Sequence, residues 1–127
     1  MYVFAVTTVP GIPGRPEVDK VDAGKVFIHW SAPDDDGGSE ITQYVIFYGT
    51  TDMDFESFEK QSVSGDKTSC TVSSRIRRNK EYKFAVAAGN KEGVGPVSEF
   101  SEFIKTTALW GEPVHVMSWF ARLKRML

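Results

Sequence analysis

Two alternating apolar runs, separated by a polar turn, constrain the fold of this chain more than any other feature of its sequence. Residues 25–30 and residues 43–48 place apolar side chains at every second position, which is the period of a strand with one face against a core. Between them, Pro33 and the acidic, glycine-rich residues 34–39 cannot continue a strand. The inward positions of the two runs are Val26, Ile28, Trp30, Tyr44, Ile46 and Tyr48. We therefore expect two core strands joined by a turn.

Further runs of the same kind predict an all-β chain of about seven strands. The remaining predicted strands are residues 17–21, 58–62, 68–72, 76–88 and 97–105. The run at 76–88 supplies a second inward row, which consists of Tyr82, Phe84, Val86 and Ala88. Glycine and proline within residues 90–96 predict the hairpin loop that precedes the last strand.

Length, charge and cysteine count exclude several classes of protein. The 127 residues suffice for one domain with its own core plus short appendages. The formal net charge of −2 provides no basic field that would attract nucleic acid. Cys70 is the single cysteine, so we expect a buried, inert thiol and no intrachain disulfide. The sequence has no run of about eighteen apolar residues that could span a membrane, and residues 1–9 lack the basic start of a signal peptide.

The residue types indicate no catalytic, cofactor-binding or metal-binding group. His29 and His115 are the only histidines, and neither belongs to a Cys/His/Asp grouping with metal-ligand spacing. No nucleophile can be paired with a base. The acidic run from Asp34 to Asp36 lacks the spaced ligands of an EF-hand loop, so we interpret it as a solvated loop. The chain is therefore predicted not to be an enzyme and to need no cofactor or metal.

Several motifs in combination resemble the fibronectin type III domain. The spacing of Trp30, Pro33, Gly37, Ile41 and Tyr44 is similar to that of its B strand, BC loop and C strand. The sequence NKEGVGPVSE, residues 90–99, resembles the FG loop and G-strand start of titin-like modules. The resemblance covers about residues 10–107 and implies an immunoglobulin-like β-sandwich of about seven antiparallel strands. It implies a module rather than an activity, since this fold serves many unrelated binding functions.

Two further motifs resemble family features in an altered form. Ile76, six residues before Tyr82, is similar to the family's tyrosine corner, in which the tyrosine hydroxyl bonds to upstream backbone. Arg78 is found where the family usually has proline, so we expect a less rigid corner. Residues 98–103, SEFSEF, resemble the Trp-Ser repeat of cytokine receptors, but both tryptophans and the matching arginine ladder are missing.

The two ends of the chain differ in character from its middle. We divide the chain into an N-terminal extension (1–9), a fibronectin type III domain (10–107) and a C-terminal amphipathic tail (108–127). The sequence VPGIPGRPEV, residues 9–18, resembles the links between successive modules of giant muscle proteins such as titin and twitchin. On that view residues 1–9 are the end of a preceding module, and the alternative is a frayed extension.

The tail is predicted to form an amphipathic helix that begins near Pro113, because apolar residues recur there at helical spacing. Its charged residues, Glu112, Arg122, Lys124 and Arg125, give it a local charge of +2 (three cations and one anion). A helix of this length needs a surface to lie on, and its predicted contact residues are Trp119, Phe120 and Leu123. Three cations and one short apolar face argue against a membrane as that surface.

The predicted contact surface of the domain is the outer side of its two central strands. Val45, Phe47, Ala85 and Ala87 alternate with the inward rows and should point out of the sandwich. Contiguous outward apolar residues usually mark a contact surface, which here would be covered by another protein or by the tail. We therefore expect a non-enzymatic spacer or docking module of a larger intracellular protein, in a muscle or cytoskeletal array whose neighbouring modules are its partners. The alternative is an extracellular adhesion or receptor module.

Overall fold

A computed structural model describes residues 6–22 and 24–106 of the chain. Within these residues, eight strands form two antiparallel sheets around a common core. The strands are β1 (Glu17–Asp22), β2 (Lys25–His29), β3 (Gln43–Thr50), β4 (Glu59–Ser64), β5 (Ser69–Val72), β6 (Glu81–Asn90), β7 (Gly93–Val97) and β8 (Ile104–Lys105). One sheet has the order β1-β2-β5, and the other has the order β4-β3-β6-β7, with β8 also paired to β6. This arrangement confirms the predicted all-β sandwich.

The core lies between the two sheets and is built from the predicted inward rows. Its buried members are Val21, Val26, Ile28, Trp30, Tyr44, Ile46, Tyr48, Val72, Tyr82, Phe84, Val86 and Ala88. The rings of Trp30 and Tyr44 meet edge to face at a centroid distance of 5.4 Å, which joins the two sheets. Burial of each large side chain contributes roughly 1.5–3 kcal/mol to folding. These rows are therefore the main source of stability.

The strand predicted over residues 76–88 begins later, at Glu81. The preceding residues form a loop in which Arg75 and Asn79 have the left-handed backbone angles φ 60° and φ 57°, which a strand cannot contain. The Tyr82 hydroxyl accepts a hydrogen bond from the backbone N–H of Arg77 at 2.7 Å, so the tyrosine corner is formed. Periodicity alone missed the loop because Ile76, which packs against the core, continues the apolar pattern of the strand.

The last predicted strand, residues 97–105, is wrong as a single element. Residues 93–97 already pair with β6, and the chain leaves the ladder at 98–103 before β8 restores it. Pro96 is tolerated in β7 because that strand lies at the edge of its sheet. In residues 98–103, serine hydroxyl oxygens take the place of backbone carbonyls as acceptors for two N–H groups of β6. The alternating apolar pattern of the sequence does not reveal these side-chain bonds.

The chain enters and leaves the sandwich at opposite ends. Strands β3 and β6 pair Gln43 with Gly89 at one end and Thr50 with Tyr82 at the other. We call the first end the entry pole, formed by residues 6–14, loop 31–42 and hairpin 90–93. We call the second the exit pole, formed by loop 51–58, loop 73–80 and Thr106. An eight-residue strand separates the poles, a distance of about 25 Å.

Some of the predictions concern residues outside the described part of the chain. The C-terminal helix, with Trp119, Phe120 and Leu123, lies there, and so do residues 1–5 of the N-terminal extension. The domain limits at 10 and 107 stay predictions as well. Among the described residues, no helix is long and apolar enough to cross a bilayer.

Candidate protein-contact surfaces

The outer side of the central strands is not the open apolar surface that the sequence indicates. Val45, Phe47, Ala85 and Ala87 alternate with the core rows of β3 and β6, and none of them belongs to the core cluster. Ala85 and Ala87 are nevertheless fully buried, and Val45 is only 9% exposed. Of the four, Phe47 alone keeps substantial exposure. A partner would therefore meet the groups that lie around and above these residues.

Those groups include an aromatic cluster that the chain supplies from three separate segments. The cluster consists of Phe47 on β3, Phe55 and Phe58 in and beside a 3₁₀ turn (Phe55–Ser57), and Phe100 after β7. Their neighbouring ring centroids lie 5.2–6.1 Å apart. Gly49 makes room for it, because a Cβ atom there would lie 2.6 Å from Cδ1 of Phe58. Phe58 is buried in this cluster and Phe55 is partly exposed.

Two lysines cover the rings of this aromatic cluster. The Lys83 ammonium lies 4.1 Å from the centroid of Phe100 and 5.9 Å from that of Phe58. Lys60 lies 5.7 Å from the centroid of Phe47. Exposed cation–π pairs contribute roughly 0.5–1 kcal/mol each. The sequence prediction missed this cluster, although Lys83 alternates with the inward row of β6 as Ala85 and Ala87 do.

The serines of residues 98–103 attach this segment to β6 in a repeated pattern. Ser98 donates its backbone N–H to the carbonyl of Val86, and its hydroxyl oxygen accepts from the N–H of Val86 at 2.9 Å. Ser101 does the same with Phe84, where the hydroxyl bond is 3.0 Å. Arg15 adds a bond from its Nε to the carbonyl of Phe100 at 2.7 Å. The repeat therefore satisfies β6 in place of a regular strand and holds Phe100 in the cluster.

A second surface is formed by residues 6–16, which we call the entry segment. It repeats every three residues, which is the period of a polyproline II helix. One row is buried and consists of Pro10, Pro13 and Pro16. A second row donates its backbone N–H groups to loop 31–42 and consists of Thr8, Gly11 and Gly14. The third row is exposed and apolar and consists of Val6, Val9 and Ile12. The predicted extended joint is therefore fastened to the domain along its length.

Hydrogen bonds set the position of the entry segment. The three N–H donors bond to loop 31–42 at 2.8–2.9 Å. Asn90 strengthens this junction, since its Nδ2 donates to the carbonyls of Thr8 and Asp36 at 2.7 and 2.8 Å. Gly37 is required there: its φ is +79°, and an added Cβ would lie 2.1 Å from the Thr8 carbonyl oxygen. The entry segment and loop 31–42 therefore pack closely and are joined by several hydrogen bonds.

The exit pole carries a basic loop. Arg75, Arg77, Arg78 and Lys80 are all exposed within six residues. The loop is held by the Tyr82 hydroxyl, by the Tyr48 hydroxyl, which donates to the carbonyl of Ser74 at 2.8 Å, and by Thr106, which bonds to Arg77 and Lys80. Beside it lies a cleft of about 360 Å³ whose lining includes Tyr48, Met53, Arg77, Lys80 and Tyr82.

Comparison with known proteins identifies the fold. The family model for the fibronectin type III domain matches residues 11–104. The chain belongs to the fibronectin type III family. This confirms the resemblance inferred from the motifs around Trp30 and Tyr82.

The relatives of this fibronectin type III domain are much longer proteins. A titin homolog from Caenorhabditis elegans is 34% identical over 113 residues, which are 87% of this chain and 1% of that protein. Fibronectin type-III domain-containing protein 3a from Gallus gallus is 35% identical over 99 residues, which are 78% of this chain and 7% of that protein. A crystal structure of titin domains matches with a TM-score of 0.72 and 31% identity, over 80% of this chain and 33% of that chain. The chain thus spans a small part of the curated relatives that it matches.

The reactive side chains of the fibronectin type III domain serve its structure. Cys70 is only partly buried, against the expectation of a buried thiol, and this burial raises the pKa of its thiol to about 11, which disfavours the thiolate. His29 lies on the outer face of β2 between two carboxylates, with Nδ1 2.8 Å from Asp19 and Nε2 3.4 Å from Glu17. Asp35 and Asp36 accept bonds from the N–H groups two residues onward in their own loop. Within the described ranges, no group of three such side chains could hold a metal ion.

Proposed function

We propose that this fibronectin type III domain is a non-catalytic spacer and docking module that sets the direction of its neighbour in a larger protein. The observation that carries the proposal is the attachment of the entry segment, in which every third backbone N–H from Thr8 to Gly14 bonds to loop 31–42. A free, glycine-rich linker would limit only the distance between two modules. A linker that is bonded to its module also transmits orientation.

We further propose an intracellular muscle or cytoskeletal setting. The motifs PGIPGRPEV, DDGGSEIT and NKEGVGP resemble those of titin-like modules, and a titin homolog and titin domains are among its similar proteins. The alternative is an extracellular adhesion or receptor protein. An antibody against residues 6–106 separates the two settings: filamentous or striated staining after permeabilisation supports the proposal, and staining of intact, unpermeabilised cells contradicts it.

Backbone relaxation measured by NMR tests the spacer role on the chain itself. If residues 7–16 transmit orientation, their amide order parameters should match those of the strands, at about 0.85. The Asn90→Ala variant removes two bonds to the segment and to its loop, so the order parameters of residues 7–9 should fall while those of β3 and β6 stay constant.

The Asp34→Ala variant is the matched control, because Asp34 is an exposed residue of the same loop. It should leave the order parameters of the entry segment unchanged. Order parameters below about 0.6 over residues 7–16 of the unmodified chain would make the segment a flexible tether. That result would remove the basis of the spacer proposal.

A further inference from the structure

The entry pole carries an exposed apolar patch. Val6, Val9 and Ile12 of the entry segment are 78%, 38% and 57% exposed, and Val94 of β7 is 44% exposed. Val9 lies against the hairpin, since its Cγ1 would be 3.5 Å from a Cβ added at Gly93. The patch therefore continues from the segment towards the hairpin, on a part of the molecule that is otherwise polar.

Carboxylates surround this patch. The exposed acids of the entry pole are Asp34, Asp35, Asp36, Glu40 and Glu92, against one exposed cation, Lys91. Two contacts place them beside the segment: the N–H of Gly11 bonds to the Asp35 carbonyl at 2.8 Å, and the Thr7 hydroxyl bonds to Glu92 at 3.0 Å. An apolar centre with a charged rim is the usual composition of a protein interface.

Loop 73–80 of the exit pole has the complementary charge. This basic loop borders the cleft beside Met53, Tyr48 and Tyr82, which is large enough to receive an aliphatic side chain. Loop 51–58, which borders the same cleft, carries the exposed acids Asp52, Asp54 and Glu56, and Glu59 pairs with Arg75 at 3.6 Å, so the positive charge of this pole is concentrated on loop 73–80. The surface therefore combines a partly apolar cleft with a rim of three cations, Arg75, Arg77 and Lys80, and two acids, Asp52 and Glu59.

We propose that the entry pole of one copy of this module docks on the exit pole of a second copy, head to tail. The proposal deepens the spacer function and rests on it. Acidic and basic rims would meet around the apolar patch and the cleft, and the direction is right, because the chain enters at the acidic pole and leaves at the basic one. A contact between two poles is smaller than a standard interface, so free copies should associate weakly. Modules that are joined in one chain should associate more strongly.

Concentration-dependent NMR spectra of the full chain at low salt provide the first test. Amide shifts should move at both poles as the concentration rises, namely at residues 6–12, 34–37 and 92–94 and at residues 75–80. Since the rims are exposed charges, raising the ionic strength from 0.01 M to 0.5 M should weaken the association by about tenfold or more. Shifts confined to the faces of the sheets, or shifts that salt leaves unchanged, would overturn the proposal.

Charge exchange gives the sharper test. The variants Arg77→Glu and Asp34→Lys should each be monomeric alone, since each brings like charges together. Their equimolar mixture should associate again, because the unaltered entry pole of the Arg77→Glu variant meets the unaltered exit pole of the Asp34→Lys variant, and the two altered poles also complement each other. The controls Lys20→Glu and Glu102→Lys change charge by the same amount on exposed residues between the poles, and both should associate as the unmodified chain does.

The result separates this inference from the spacer proposal. A mixture that stays monomeric overturns head-to-tail docking, whether the true occupant of the basic pole is another protein or residues 108–127 of the same chain. Rigid order parameters in the entry segment would still support the spacer role in that case. If the copies associate but the entry segment has low order parameters, head-to-tail docking is supported and the spacer proposal loses its basis.

Discussion

Trp30 and Tyr82 close the sandwich by different physical means. Trp30 places a large apolar ring in the core, where it is buried. Its Nε1 is the one buried side-chain nitrogen or oxygen without a hydrogen-bond partner in the described part of the chain. It therefore contributes through packing, in spite of an unpaired donor. Tyr82 is equally buried, but its hydroxyl also supports loop 73–80 through the N–H of Arg77. One residue thus fills the core, and the other connects the core to the exit pole.

Removal of the Tyr82 hydroxyl tests this connection. The Tyr82→Phe variant should lose about 1–3 kcal/mol of unfolding free energy, because it leaves the Arg77 N–H without its partner. Urea denaturation measures the change. Tyr44→Phe is the control, since it makes the same chemical change on β3, away from the loop, and should lose less. Equal losses in the two variants would show that the corner adds nothing beyond burial.

Cys70 gives a prediction about alkaline pH. The folded thiol has a pKa of about 11, above the usual 9.0, because burial disfavours the thiolate. The unfolded chain therefore releases this proton first, and stability should fall as the pH rises from about 9 to 11. Burial also raises the pKa of Tyr44 and Tyr48, so the comparison is made against Cys70→Ala. The unfolding free energy of that variant should fall less steeply over this range, and parallel curves would contradict the assignment.

At the scale of elements, the sequence predicted the strands whose side chains alternate and missed those parts where hydrogen bonds decide. Strands β2 and β3 were predicted to within one or two residues because one face of each is buried. The candidate contact surface was predicted less well. Alternation set Val45, Phe47, Ala85 and Ala87 apart from the inward rows, but it could not show that Phe55, Phe58 and Phe100 pack on that side, because loops place those rings.

The serine repeat at 98–103 yields a prediction for β6. The Ser98→Ala and Ser101→Ala variants remove the acceptors of the Val86 and Phe84 amides, which are buried. Each should cost about 1–3 kcal/mol of unfolding free energy, and the amide that loses its acceptor should exchange with solvent faster. Ser62→Ala, at an exposed position of β4, is the control. Unchanged exchange at both amides would mean that the hydroxyls are not their main partners.

At the scale of the whole molecule, the entry segment belongs to the domain rather than to a linker before it. Deletion of residues 1–16 removes three buried prolines and the bonds to loop 31–42, so it should lower the unfolding free energy by several kcal/mol, at roughly 25 cal/mol per Å² of apolar area exposed. Ile12→Ser, which alters an exposed side chain of the same segment, should change it by less than about 0.5 kcal/mol. Thermal or urea unfolding compares the two, and similar stabilities would show that the segment adds nothing.

The period of three in the entry segment restricts how its length can change. Deleting Ile12 would rotate everything upstream by a third of a turn, so Val9 would face inward where Pro10 now lies, and Pro10, which has no N–H, would replace the donor Gly11. Inserting three residues would keep the three rows in phase and only lengthen the entry segment. Insertions and deletions in the entry segment should therefore come in multiples of three residues.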